Sequence, residues 1–104
     1  MNLIYKIPNE QKTNVMNIIE SGKYDAISFA KTGYVIKDGE QYGIEKFTLI
    51  VLRNVDDEFV NFTKEKLKEI EGIETLDENK TNEIVKSINE EEERAQSGFG
   101  EIFG

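Results

Sequence analysis

Phe47-Thr48-Leu49-Ile50-Val51-Leu52 is an apolar run rich in β-branched residues and too short for a helix, so it reads as the centre of a strand over 42–53. Alternation divides it into two sets, Phe47, Leu49 and Val51 against Thr48, Ile50 and Leu52. Both sets are apolar, and a sheet of that kind needs a cover on each face. We expect Phe47, Leu49 and Val51 to lie under the two helices of a sandwich. The other set then falls first to a third helix, and otherwise to a second copy of the chain in a homodimer or to a ligand.

Upstream, Lys37-Asp38-Gly39 is turn chemistry, and Ile27, Phe29 and Val35 alternate with Ser28, Ala30, Thr32, Tyr34 and Ile36, which predicts a partner strand over 25–37. Before it, Val15, Ile18 and Ile19 recur at helical spacing between an N-cap at Asn9 and a glycine stop at Gly22. The first strand is 2–7, with Leu3, Tyr5 and Ile7 on one face and Pro8 at its end.

Downstream, Asn54 or Asp56 caps a helix carrying Phe59, Thr63, Lys66, Leu67 and Ile70, and Gly72 ends it. Residues 73–76 read as a short edge strand, limited by Glu74. Asp77 or Thr81 caps a third helix with the stripe Ile84, Val85 and Ile88. The order is β-α-β-β-α-β, that of an α+β ferredoxin-like sandwich, with an added C-terminal helix and a flexible tail. The divisions follow: 1–76 an α+β core, 77–97 an acidic C-terminal helix, 98–104 a flexible apolar tail.

Charge is unevenly placed. Residues 1–55 hold six acids and seven bases, while 56–104 hold fifteen acids and six bases, which together make the net charge of -8. A field of that sign repels a phosphate backbone and an anionic membrane, so nucleic acid is a poor direct ligand. Lys6, Lys31, Lys37, Lys46 and Arg53 are the bases able to line one side of the sheet as an exception. No apolar run approaches the roughly 20 residues of a membrane span, and the absence of cysteine fits a reducing, cytoplasmic setting.

With neither histidine nor cysteine, the commonest general base, nucleophile and transition-metal ligands are missing. No catalytic, metal or cofactor site is expected. Gly39-Glu40-Gln41-Tyr42-Gly43 lacks the lysine of a phosphate cradle, and Asp77-Glu78-Asn79 begins like a calcium loop but has Asn82 at the glycine position and Ile88 where the bidentate glutamate belongs.

What remains is the C-terminal end. Glu90, Glu91, Glu92 and Glu93 sit at the negative pole of the third helix, where the macrodipole disfavours them, so fraying is expected beyond Asn89. Phe99, Ile102 and Phe103 follow as apolar anchors among glycines. An acid run followed by aromatic anchors suits docking by long-range attraction to a basic rim and then insertion. The expected function is therefore that of a small non-enzymatic interaction module, binding a protein partner or itself through Glu90 to Glu93 and Phe99, Ile102 and Phe103. Such an acidic surface also suits inhibition of a nucleic-acid-binding partner by competition for its basic site. The alternative is a small-ligand or regulatory domain with a pocket on the sheet face or at a dimer interface.

Overall fold

The computed structural model describes residues 1–22 and 24–103, the side chains of 97–103 excepted. β1 (Leu3–Pro8) leads through a 3-10 turn (Asn9–Gln11) into α1 (Lys12–Glu20), followed by a short helix α2 (Phe29–Thr32) and β2 (Val35–Asp38). A second 3-10 turn (Gly39–Tyr42), β3 (Phe47–Leu52), α3 (Asp57–Leu67), β4 (Glu74–Thr75) and α4 (Glu78–Phe103) complete the chain. Helices and strands build one four-stranded sheet in the order β2-β3-β1-β4, with each neighbouring pair antiparallel.

The central pair is β1 and β3, in the register Leu3↔Leu52 to Pro8↔Phe47. Leu49, Ile50, Val51 and Leu52 are fully buried, as a strand apolar on both faces requires. The parity of the faces is the reverse of the sequence expectation. Ile50 and Leu52 join Tyr5 and Ile7 under α1 and α3, in a cluster with Val15, Ile19, Phe29, Phe59 and Leu67. Leu49 and Val51 join Ile4 on the opposite face, against Ile84, Val85 and Ile88 of α4. Phe47 stands at the strand end, half-buried, with the Lys6 ammonium 4.7 Å from its ring centre.

Within the expected strand over 25–37 the structure has a helical turn at Phe29–Thr32 and strand only from Val35 onward. Ser28 caps α2 by accepting from the Lys31 N–H at 3.2 Å, and Gly33 leaves the helix at φ 93°, so Phe29 reaches the core from a helical turn. There Phe29 meets Phe59 and Phe62, each with ring centres 5.7 Å away. The expected cap at Asn9 is also displaced. Asn9 opens the 3-10 turn, and its side chain accepts from the Thr48 hydroxyl at 2.7 Å.

After β2, Asp38 accepts from the Glu40 N–H at 3.1 Å, and the turn closes through Gly43 at φ 77°. Gly39 is buried in that turn, where an added Cβ would run into the carbonyls of Ile44 and Phe47. Asp56 caps α3 through the Phe59 N–H at 2.8 Å, and Asp77 caps α4 through the Lys80 N–H at 2.7 Å. β4 is a two-residue edge strand, exposed at both positions, with its Glu74 paired to Lys6 at 3.2 Å.

Candidate functional site

α4 is the element that carries the residues singled out by the sequence. Its first part packs. Thr81, Ile84, Val85 and Ile88 are buried, and the three apolar residues seal the sheet face that a homodimer was expected to cover in the absence of a helix. That cover comes from the same chain.

Its second part is held by charge. Arg53, at the end of β3, donates from Nη1 to Glu92 Oε2 at 2.9 Å and to Asn89 Oδ1 at 2.8 Å. Lys37 of β2 pairs with Glu91 at 3.4 Å. The Arg53 hydrogen bond and positive charge hold the Glu92 carboxyl below the usual carboxylate range, with Lys37 adding to the effect. Beside this pair, burial pushes the Tyr42 phenol up; Glu91 raises it further and Lys37 opposes. The backbone is helical beyond Asn89, and the helix continues past the acid run. Because the helix runs on to Phe103, the carboxylates lie more than two turns from its negative pole, and two of them meet cations from the sheet.

The acid run is thus divided. Glu91 and Glu92 face their own domain, whereas Glu90 and Glu93 are exposed and have no ion pair among the described residues. Every residue of 89–96 is exposed, so this stretch of the helix has no buried side chain to support it. Phe99, Ile102 and Phe103 belong to the expected flexible tail over 98–104, and their side chains lie outside the described residues.

The bases that were candidates for a nucleic-acid strip are largely engaged. Lys6, Lys37 and Arg53 pair with Glu74, Glu91 and Glu92, and the Lys31 ammonium donates to the Tyr24 carbonyl at 3.3 Å. Among the described residues, no group of three or more carboxylates converges on a metal position, and no helix is long and apolar enough to cross a membrane.

With a helical layer on each sheet face, concavities lie at the ends of the strands. A cleft of about 390 Å³ is bounded by Tyr34, Val35, Val51 and Arg53. A larger one, about 530 Å³, lies between α3 and the start of α4, against Leu3, Val60, Lys64, Leu76 and Asn82. Neither was legible in the sequence, because each is assembled from segments far apart in the chain. No protein-family model matches the chain, and no curated protein or solved structure is significantly similar to it.

Proposed function

We propose that this chain is a small, acidic, non-enzymatic interaction module on a ferredoxin-like scaffold, which binds a protein partner or a second copy through the outer part of α4 and the apolar segment that follows. The support for the scaffold is the strand order, with β1 and β3 central and the strand after each helix at an edge. The observation that carries the function is that α4 outlasts its own packing. Among the described side chains, which end at residue 96, its last buried residue is Ile88 and its last ion pair to the sheet is Glu92, yet the helix runs on.

In this reading Glu91 and Glu92 aim the arm, and Glu90 and Glu93 supply attraction toward a basic rim. Phe99, Ile102 and Phe103 supply the apolar anchors that dominate affinity in such contacts. The chain acts by occupying a surface, and a basic nucleic-acid-binding site is one surface of matching charge.

Crosslinking in an extract of the source cell tests this, comparing the full chain with one ending at residue 96. The expected result is a discrete protein that crosslinks to the full chain, is lost with the truncation, and is weakened by added salt. Equal recovery with both chains, unaffected by salt, would overturn the reading.

A further inference from the structure

Resting on that reading, we propose that segment 97–104 has a receiving site on this same protein, the cleft of about 530 Å³ beside β1, and that it enters the cleft of a second copy. The cleft exists because β4 is short. β4 pairs with β1 only at Tyr5↔Thr75 and Lys6↔Glu74, and the Leu76 N–H makes one more bond, to the Ile4 carbonyl at 3.0 Å. On the other side Met1 and Val55 exchange both bonds, at 2.8 and 2.9 Å. Backbone groups of successive strand residues point to opposite sides, so those of Met1 and Leu3 turn toward β3 and those of Asn2 toward the cleft, where β4 has ended.

The walls suit segment 97–104. Leu3 and Leu76 are half-buried, and Met1, at 64% exposure, is one of the two large apolar residues left most open among the described residues. Lys64 stands on the α3 wall, exposed and without an ion pair among the described residues, facing Glu78 and Asn82 at the start of α4. The segment brings Phe99, Ile102 and Phe103 for the apolar surface and one acid, Glu101, for Lys64. The volume falls within the roughly 300–1,000 Å³ of ordinary ligand clefts.

Geometry assigns the docking to a second copy. The cleft is lined by the first turn of α4, and at about 1.5 Å per residue the helix carries residue 97 roughly 22 Å from Asn82. A chain cannot fill its own cleft while α4 is helical. Entry into a neighbour is a head-to-tail contact, which produces dimers and, where the rotation does not close, longer assemblies. Each copy carries -8, so salt screens their mutual repulsion and strengthens this contact, the opposite of its effect on docking to a basic partner.

Light scattering coupled to size exclusion tests the proposal at low and high salt. Four species are needed: the full chain, a chain ending at residue 96, Lys64→Glu, and Asn82→Trp, the last two being exposed positions whose folding is checked by circular dichroism. The full chain is expected at twice 11.9 kDa or more, increasingly with salt, and each variant at the mass of its own monomer. Mixing the truncated chain, which keeps the cleft, with Asn82→Trp, which keeps the segment, is expected to restore a dimer.

A full chain that stays monomeric at high salt overturns the proposal, as does association that survives truncation. Failure of the mixture to pair also overturns it, because a segment-to-segment contact would then be the explanation of any dimer. A monomeric full chain that still captures a basic protein through 97–104 removes this inference and leaves the broader reading standing.

Discussion

The two faces of the sheet are closed by different means. Under α1 and α3, the cluster around Phe29, Phe59, Ile50 and Leu52 draws on two helices and adds the buried Tyr5–Thr63 hydroxyl pair at 2.8 Å. On the other face a single helix supplies Ile84, Val85 and Ile88 and then gives way to ion pairs at the surface. The first face is built for stability. The second fixes the direction of an element whose residues 93–96 have neither a buried side chain nor an ion pair to the sheet.

The largest expected effect breaks the first face. Phe29→Ala removes the ring shared by Phe59 and Phe62 and is expected to cost about 3–5 kcal/mol, read as a fall in the urea midpoint of the whole chain. Ile84→Ala, on the second face, is expected to cost about 2–4 kcal/mol. Its signature differs: exchange of α4 amides rises before that of β1 and β3, because α4 is able to open while the first core stays closed.

Thr63→Val is a smaller change. Thr63 donates to the Val60 carbonyl at 2.8 Å and accepts from Tyr5, so valine leaves the buried phenol without an acceptor, at about 1–3 kcal/mol. Burial already pushes the Tyr5 phenol up, and the partner lost in Thr63→Val is the one that opposes this rise.

The smallest effect is on the clamp. The folded Glu92 carboxyl sits below its ordinary value, so its contribution is present above the unfolded pKa and is lost as pH falls through the folded one. Acidification through the carboxylate range is therefore expected to loosen the outer part of α4, read by exchange at residues 89–96. Arg53→Ala is expected to loosen it at neutral pH and to remove that Glu92 contribution to the pH dependence.

These contrasts also show what the sequence disclosed. The run at Phe47–Leu52 announced a strand buried on both faces, and the stripe Ile84, Val85 and Ile88 announced the helix that covers one of them. Which set went under which helices was not legible, because Leu49 and Val51 are as apolar as Ile50 and Leu52. α2 was hidden by the alternation of Ile27 and Phe29, although Ser28 as a cap and Gly33 as an exit were visible. The splitting of the acid run was out of reach: Lys37 and Arg53 lie 54 and 39 residues before the carboxylates they hold, and only the register of β2 and β3 brings them together.

Native-state hydrogen exchange along α4 tests the central claim most directly, read residue by residue in the full chain at low concentration. The account predicts protection from Thr81 through Glu92, close to that of β1 and β3 at Ile84 and Ile88, and a sharp fall at 93–96. Uniform protection through residue 96 would contradict it, because the outer helix would then be held by its own domain and would not be free to dock.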